Sequence, residues 1–380
     1  MIKIIAILAL YLSCLTIGAV NNNKGLSCSQ ARKATQEIVA AWRKAEKARL
    51  AYIIADQAVR YDSLTMPIHW QTFGEKPADG RSLYISLHGG GNVPKDINDS
   101  QWRNQWRLYT PHEGVYLCPR APYNDWDMHC KPLTDGCYRD LINFCVDYMD
   151  VNPDKVYIMG YSAGGDGVWR LAPRMADTWA AASMMAGHPG DVSMVNLRNT
   201  PFMIWCGELD SAYNRNILDA QHIATLDSLQ RQDPGGYIHY GQIVKGKPHW
   251  MDRVDTMAVE WMAKYRRNPY PQKVVWRQEE VCKPAFYWLR IDSAQIKRGK
   301  EVVVSYSGDN TINIERCDYP TLTICLNDTM MDLDRPVTVV YQGRTLFKGL
   351  VKRTRGNIES NLRLRCDERY AFPAEVTVKL

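Results

Sequence analysis

The chain has 380 residues and a formal net charge of +6, with 46% hydrophobic and 23% charged residues. This length exceeds that of one ordinary domain and suggests two, and the composition is that of a globular protein. The small positive excess gives no reason to expect nucleic-acid binding, because a solvated surface accounts for it.

The first twenty residues have the pattern of a secretory signal peptide. Lys3 precedes a nearly uncharged apolar run over residues 4–20, which ends in small residues. Cleavage would give a secreted or periplasmic protein with no stable membrane span. One alternative is retention of the run as an anchor, because its length borders on that of a membrane span. The other is lipid attachment at Cys14, although the residues before it match a lipoprotein site only loosely.

Ten of the 11 cysteines follow this run, and export permits disulfides. Cys130 and Cys137, in a loop-rich stretch, are the best local candidates for a pair. Cys118 and Cys206 lie in apolar, strand-like runs, where a buried free thiol is the commoner state. No Cys-x-x-Cys or Cys/His spacing indicates a zinc site, and the sequence implies neither a metal nor a cofactor.

Three regions follow the apolar run. Residues 27–60 contain no Gly or Pro and carry apolar residues at roughly helical spacing, so we predict an N-terminal helical segment over residues 21–65. Strand-like and helix-like runs then alternate over residues 66–267, which predicts an α/β domain with a doubly wound, mostly parallel sheet. The predicted strands cover residues 67–73, 82–87, 114–118, 154–159, 179–186, 201–206 and 237–244. The predicted helices cover residues 135–149, 165–175, 217–229 and 254–265.

The composition changes near residue 268. From there to residue 380, short β-rich runs alternate with turn signals and no helix is predicted, so we expect a small, sandwich-like all-β accessory domain. Basic residues outnumber acidic ones between residues 343 and 369. We interpret them as an ordinary solvated edge, with attraction of acidic glycans as the alternative.

The strongest chemical signal is the stretch Gly160-Tyr161-Ser162-Ala163-Gly164. A β-branched and aromatic run precedes it and a helix-compatible segment follows. This is the context in which Gly-x-Ser-x-Gly forms a nucleophile elbow, a tight turn that exposes the serine hydroxyl. Side chains at Gly160 and Gly164 would collide with the neighbouring strand or helix. We therefore predict that Ser162 is a catalytic nucleophile.

A nucleophilic serine needs a base and an acid that orients the base, and in parallel sheets such groups collect at the C-terminal ends of strands. His249 follows the last predicted strand on a Gly/Pro loop, whereas His222 and His239 fall within a helix and a strand. Asp210 follows an earlier strand through a Gly turn and gives the chain order Ser, Asp, His. Glu208 and Asp191 are its competitors for the acid.

The oxyanion of an acyl-transfer intermediate needs backbone N–H donors. One is predicted at Ala163, which follows the nucleophile and opens a helix. The other lies in the loop His88-Gly-Gly-Gly91, which follows an early strand and matches the His-Gly-Gly-Gly motif of esterases and lipases. Among its glycines we favour Gly89 and Gly90 as donors.

With these motifs in this order, residues 66–266 resemble the α/β-hydrolase superfamily. More narrowly, the stretches around Gly160–Gly167, Ala172–Asp177 and Met185–Pro189 are similar to secreted bacterial esterases and prolyl-oligopeptidase-like hydrolases. The resemblance implies a Ser-His-Asp hydrolase that uses Ser162, His249 and Asp210. Pro248, where relatives often carry a small residue, is a departure that stiffens the loop.

The substrate is less well marked. Aromatic and basic residues lie on connections near the predicted site, and we select Trp126, Arg120 and His188 as pocket residues, with packing of a lid as the alternative for the aromatic ones. The sequence favours hydrolysis of small-molecule or polysaccharide-linked carboxylic esters, such as acyl or feruloyl esters. A prolyl-oligopeptidase-like peptidase is an alternative, although no acidic pair clearly anchors a substrate amine. A non-catalytic glycan-binding protein on a hydrolase fold is a second alternative.

Overall fold

The computed structural model describes residues 23–380. The predicted signal peptide, with Cys14, therefore lies outside the described residues. Within residues 23–380, no helix is long and apolar enough to cross a membrane.

A central sheet of eight strands carries the predicted α/β domain. The strand order is β1-β2-β4-β3-β5-β6-β7-β8. The pairs β1/β2 and β2/β4 are antiparallel, and the other neighbours are parallel, which confirms the predicted mostly parallel sheet. The strands are β1 (Ala58–Tyr61), β2 (Leu64–Phe73), β3 (Arg81–Leu87), β4 (Gly114–Pro119), β5 (Val151–Tyr161), β6 (Ala181–Met185), β7 (Phe202–Gly207) and β8 (His239–Val244).

Helices cover both faces of this sheet, because parallel strands with apolar side chains on both faces need two covering layers. Those on one face pack through residues such as Leu141, Trp169 and Leu226, and those on the other through Trp102 and Met262. The helices of the described chain are α1 (Cys28–Leu50), α2 (Tyr52–Asp56), α3 (Lys95–Gln105), α4 (Thr134–Tyr148), α5 (Ala163–Arg174), α6 (Arg215–Gln232), α7 (Met257–Met262) and α8 (Arg355–Arg365).

The N-terminal segment differs from the prediction in its second half. Helix α2 ends where Gln57 takes a left-handed conformation, with φ of 46°. The chain then forms the hairpin of β1 and β2, which lies partly inside the segment predicted as helical over residues 21–65. Helix α3 also lies in a stretch for which no helix was predicted. Its low content of apolar residues gives it little helical periodicity to detect.

The C-terminal region forms two further sheets around one hydrophobic cluster. Val274 and Val302 of one sheet share that cluster with Leu322 and Val376 of the other. The first sheet has the order β16-β15-β13-β12-β9 and contains one parallel pair, β13/β15. The second has the order β10-β11-β14-β17. Their strands are β9 (Lys273–Arg277), β10 (Ala285–Phe286), β11 (Leu289–Arg290), β12 (Glu301–Ser307), β13 (Thr311–Cys317), β14 (Thr321–Leu326), β15 (Val337–Tyr341), β16 (Arg344–Gly349) and β17 (Ala374–Lys379).

Helix α8 contradicts the prediction that this region contains no helix. Thr354 caps it by accepting a hydrogen bond from the Asn357 amide at 3.1 Å. Ile358 and Leu362, one turn apart, are buried against Ala34 of helix α1. Only these two buried apolar residues recur at helical spacing, and the neighbouring residues are mostly polar or charged. The sequence therefore shows little helical periodicity here. The helix forms because packing against α1 buries its apolar stripe.

The described cysteines, at ten positions, all carry free thiols. The suggested pairing of Cys130 with Cys137 is therefore wrong in this structure. Both side chains are buried in the apolar core of the α/β domain, where a free thiol packs as a small apolar group. Cys118 and Cys206 are also buried and free, as predicted.

Several basic residues of segment 343–369 form ion pairs inside the molecule rather than a solvated edge. Arg353 contacts Asp334 at 2.7 Å and also binds Asp328. Arg365 pairs with Asp177, and Arg369 with Asp154 at 2.8 Å. The second and third of these arginines connect the C-terminal region to the α/β domain.

Arg267 is the most deeply buried cation at this junction. Its side chain is 2% exposed and contacts Asp154 at 2.9 Å and Asp367 at 2.6 Å. It also donates to the Asp177 carbonyl at 3.1 Å and lies over the Tyr370 ring. One guanidinium thus joins strand β5, the end of helix α5 and the C-terminal region.

Replacing Arg267 with Met should lower the free energy of unfolding by about 3–5 kcal/mol, because two partly buried carboxylates lose their partner. Urea unfolding followed by circular dichroism measures the change. Arg266→Met is the matched control, since Arg266 is 58% exposed and pairs with Asp79 at the surface. Its unfolding midpoint should stay near that of the unmodified chain. Equal midpoints for the two variants would contradict the role assigned to Arg267.

Candidate active site

Ser162 lies between strand β5 and helix α5 in a strained conformation. Its φ of 57° and ψ of −124° are unusual for a residue with a side chain. The Ser162 amide donates to the Met185 carbonyl of β6 at 2.9 Å, and its carbonyl accepts the Asp166 amide at 2.9 Å. These bonds hold the turn on both sides, so the hydroxyl projects beyond the end of the sheet, as in a nucleophile elbow.

Two glycines make this turn sterically feasible. A Cβ on Gly164 would lie 2.1 Å from the Leu87 carbonyl oxygen, and a Cβ on Gly160 would lie 2.3 Å from the Gly164 carbonyl oxygen. Real Cβ atoms do not approach oxygen this closely. Helix α5 can therefore begin directly against the end of β3 only because both positions lack side chains.

The structure brings Ser162, His249 and Asp210 into one hydrogen-bonded row. The Ser162 Oγ lies 3.0 Å from His249 Nε2, and His249 Nδ1 lies 2.7 Å from Asp210 Oδ2. Because an ionised carboxylate only accepts, the imidazole carries its proton on Nδ1, and Nε2 is free to accept the serine proton. Asp210 is 2% exposed, whereas the His249 side chain is 42% exposed. This is the geometry of an activated serine nucleophile.

The loop that carries His249 is fixed by its neighbours. The Tyr161 hydroxyl donates to the His249 carbonyl at 2.7 Å and accepts from the Met251 amide at 3.1 Å. Glu208 accepts from the Gly246 amide at 2.7 Å, so this competitor for the acid position supports the loop instead. Asp191, the other competitor, pairs with Arg298 at the surface.

Two of the predicted oxyanion donors, Ala163 and Gly89, lie next to the serine. Ala163 is the first residue of α5, so its amide belongs to the first turn, which has no intrahelical acceptor. A Cβ on Gly89 would lie 3.3 Å from the Ser162 Cβ, and Gly90 has a φ of +109° that only glycine adopts readily. The Gly91 amide donates to the Asn98 side chain at 2.9 Å and is already engaged. Gly89 and Gly90 therefore remain the predicted donors of this loop.

The three predicted pocket residues lie in different environments. Arg120 is only 5% exposed, and its guanidinium binds Asp99, Asn124 and the carbonyls of Ala121 and Tyr123. These bonds hold the loop after β4, so the prediction that Arg120 lines a pocket is wrong.

His188 is half-buried beside helix α5, and its amide donates to Asp166 Oδ1 at 2.6 Å. Its ring accepts from the Gly190 amide at 3.0 Å. Burial lowers the pKa of its imidazole below the ordinary value.

Trp126 stands at the rim of the site and has a partner that the sequence did not reveal. The indole is 46% exposed, and a Cβ on Gly91 would lie 3.3 Å from it and 3.0 Å from the Ala163 Cβ. The ring of Tyr213, 62% exposed, meets it edge-to-face with centroids 5.8 Å apart. Tyr213 has a φ of 57°, in a turn between β7 and α6. Trp126, paired with the exposed Tyr213, therefore lies beside Gly91 of the glycine loop.

A buried polar group lies behind the triad acid. Arg215 contacts Asp210 Oδ1 at 3.4 Å, and Asp219 is fully buried nearby. Burial raises the pKa of Asp219 well above its ordinary value. Nothing in the sequence pattern of helix α6 marked this arrangement.

Among residues 23–380, no cluster of His, Cys, Asp and Glu side chains is arranged to hold a metal ion. The donors and acceptors around Ser162 belong to the chain itself.

No protein-family model matches this chain, and neither does any curated protein. Among solved structures, a thermostable esterase aligns with 57% of this chain and 64% of its own, with 22% identity and a TM-score of 0.40. FphF, a fluorophosphonate-binding serine hydrolase of Staphylococcus aureus, aligns over 54% of this chain and 96% of its own, with 13% identity and a TM-score of 0.38. A feruloyl esterase module from Clostridium thermocellum aligns over 54% and 90%, with 14% identity and a TM-score of 0.38.

This chain spans less than two thirds of the thermostable esterase. With TM-scores under 0.5, these alignments carry no conclusion about the activity of this chain. The strand order and the elbow described above, read from the chain itself, give it an α/β-hydrolase-like fold.

Asp166 gives this site a pH-dependent stability. Burial raises the pKa of its carboxyl from 3.8 to about 6. A folded-state pKa above the unfolded value means that the chain loses stability as the pH rises from about 4 through 6. Asp166→Asn cannot ionise and can still accept the His188 amide. It should therefore be more stable than the unmodified chain above pH 7, by up to about 3 kcal/mol for a shift of about two pKa units, and no more stable near pH 3.5.

Thermal unfolding between pH 3.5 and 8 measures this difference. Asp191→Asn is the control, because the hydrogen bond from Arg298 lowers the pKa of the Asp191 carboxyl and its removal should bring no gain at high pH. A gain from Asp166→Asn that is equal at both ends of the pH range would contradict the raised pKa.

Proposed function

We propose that this chain is an exported serine hydrolase that cleaves carboxylic esters. The observation that carries the proposal is the row Ser162–His249–Asp210, with contacts of 3.0 Å and 2.7 Å at the end of the parallel strands. The predicted signal peptide supports export. Residues 66–267 would form the catalytic domain, and residues 268–380 a β-rich accessory domain tied to it through Arg267 and Arg365.

In the proposed reaction, Ser162 Oγ attacks the ester carbonyl carbon while His249 Nε2 takes the hydroxyl proton. Asp210 stabilises the imidazolium that forms, through the bond to Nδ1. The carbonyl oxygen becomes an oxyanion that accepts hydrogen bonds from the Ala163, Gly89 and Gly90 amides. The imidazolium then gives its proton to the departing alcohol, leaving an acyl-enzyme. Water, deprotonated by His249, attacks this ester and releases the acid and free Ser162.

The rim of the site favours an aromatic acyl group. Trp126 lies beside Gly91 of the glycine loop and pairs with the exposed Tyr213, so the acyl part of a substrate or its immediate neighbour would pass these rings. Aromatic pairs gain from edge and face contacts beyond simple burial. A feruloyl-type ester, free or attached to a polysaccharide, fits this surface. His188, whose amide binds Asp166, would border the same cleft.

The acidic residues near Trp126 give less support to a peptidase that holds a substrate amine. Lys131 pairs with Asp125 and lies 3.6 Å from Asp127, so a cation of the chain already occupies this position. Asp166 is mostly neutral below pH 6 and already binds the His188 amide through one oxygen.

Labelling with a fluorophosphonate tests the nucleophile directly. The unmodified chain should react covalently, and Ser162→Ala should not. Ester hydrolysis should fall by about a millionfold in Ser162→Ala and by about ten-thousandfold in Asp210→Asn, because each removes a member of the triad. Circular dichroism must show both variants folded.

Aryl esters and aminoacyl-anilides should be assayed in parallel. Turnover of anilides without esters would favour the peptidase. A folded chain that neither labels nor turns over either substrate would overturn the proposal and favour a binding protein.

The aromatic rim predicts selectivity for the acyl group. Trp126→Ala should lower kcat/KM for a feruloyl ester about fivefold relative to an acetyl ester of the same alcohol, because a stacking contact contributes about 1 kcal/mol. Tyr213→Ala should act in the same direction. Leu350→Ala, which removes an exposed apolar side chain in the C-terminal region, serves as the control. An equal loss on both esters would contradict recognition of the acyl ring.

A further inference from the structure

Two buried histidines stand behind the glycine loop, and the reaction described above uses neither. His88 and His129 are each at most 1% exposed, and their rings meet edge-to-face with centroids 4.8 Å apart. His88 Nδ1 lies 2.7 Å from the Gly89 carbonyl oxygen, and His129 Nε2 lies 2.9 Å from the His88 carbonyl oxygen. Each ring therefore contacts one carbonyl of the loop that carries the predicted oxyanion donors.

The contacts fix the protonation of both rings. A carbonyl only accepts, so His88 must be protonated on Nδ1 and His129 on Nε2. The other nitrogen of His88 accepts from the Ala121 amide at 3.1 Å, and that of His129 has no partner in the described chain. A second proton would have no acceptor on either ring. Burial agrees with this, since it lowers the pKa of His88 well below its ordinary value and that of His129 to about 4. Both are neutral hydrogen-bond donors at pH 7.

The geometry of the peptide bond converts these contacts into a direction for the amides. In a planar trans peptide, the carbonyl of one residue and the N–H of the next point in opposite directions. Holding the His88 carbonyl against His129 thus turns the Gly89 N–H away from His129. In the same manner, holding the Gly89 carbonyl against His88 turns the Gly90 N–H away from the His88 ring. These are the two amides predicted as oxyanion donors.

We propose that His129 is a positioning residue for the oxyanion site, acting through the His88 carbonyl to hold the Gly89 amide toward the reacting carbonyl, while His88 does the same for the Gly90 amide. This inference rests on the proposed function of the site. His129 lies in a segment without regular secondary structure and does not contact the substrate in this proposal. It affects the transition state only through the glycine loop.

The surroundings of His129 are built for this contact. A Cβ on Gly167 of helix α5 would lie 2.8 Å from the His129 Cβ, so the absence of a side chain there lets the histidine reach the loop. On the other side, Arg120 braces the loop whose Ala121 amide binds His88. The nucleophile helix, the glycine loop and the loop after β4 therefore meet at these two rings.

The test compares His129→Leu with His129→Gln, because the Gln side-chain amide can place an N–H near the position of Nε2. His129→Leu should lower kcat for an activated aryl ester about 10- to 100-fold with KM changed less than threefold, since removal of a whole oxyanion donor costs about 10²–10³. His129→Gln should recover most of this loss. The affinity for a boronic acid that forms a tetrahedral adduct on Ser162 should fall in parallel with kcat, while the inhibition constant of the product acid stays unchanged.

His239→Leu is the matched control, because His239 also bonds a backbone carbonyl but lies on edge strand β8, and it should leave kcat unaltered. A loss in His129→Leu that appears only in thermal stability, or equally in His239→Leu, would overturn the positioning role. If the unmodified chain hydrolyses esters and His129→Leu does so with the same kcat, the positioning role is also overturned. If the unmodified chain neither labels nor hydrolyses, the proposed function fails and this inference fails with it.

A measurement on the unmodified chain covers the case in which His129→Leu does not fold. Nitrogen-15 NMR of the imidazoles should show His129 protonated on Nε2 and unprotonated on Nδ1, with no titration between pH 5 and 8. The opposite tautomer, or a charged ring at pH 6, would remove the donor on which the proposal depends.

Discussion

The close approach of helix α5 to the end of strand β3 is the constraint on which the site depends. Leu87 pairs with Gly160 in adjacent parallel strands, and the start of α5 presses on the Leu87 carbonyl at Gly164. Because the glycine loop follows Leu87 directly, the same contact that shapes the elbow also brings Gly89 next to Ser162. The positions of the nucleophile and of the glycine loop thus depend on one close contact, between Gly164 and the Leu87 carbonyl. This contact leaves no room for a methyl group at Gly164.

The remaining parts of the site are supported by polar groups of neighbouring segments. Tyr161 and Glu208 hold the loop of His249, Arg215 lies behind Asp210, and the neutral ring of His129 holds the glycine loop. Each of these groups is fixed by a directional hydrogen bond or ion pair, and all of them except the exposed Glu208 are buried. Such bonds define an orientation more narrowly than apolar packing does, and orientation is what proton transfer and oxyanion stabilisation require.

The C-terminal region is joined to the α/β domain by a charged junction rather than by an apolar interface alone. Arg267 and Arg365 reach Asp177 at the end of helix α5, the same helix whose first turn carries the elbow. Breaking a buried ion pair leaves an uncompensated charge, so the junction resists partial separation. Within residues 343–369, ion pairs engage four basic residues, Arg353, Arg355, Arg365 and Arg369, whereas Arg344, Lys348, Lys352 and Arg363 are exposed.

The sequence alone was sufficient to place Ser162, Asp210 and His249, because each follows an apolar strand through a glycine or proline loop and parallel strands end at one edge. It also predicted the mostly parallel sheet, since its strands read as separate apolar runs. Only the tertiary structure showed that residues 355–365 form helix α8 and that the Arg120 side chain is buried and holds the loop after β4. It alone also showed the contacts of His129 and Tyr213 with the site. Those features depend on contacts between segments far apart in the chain, for which no local period or motif exists.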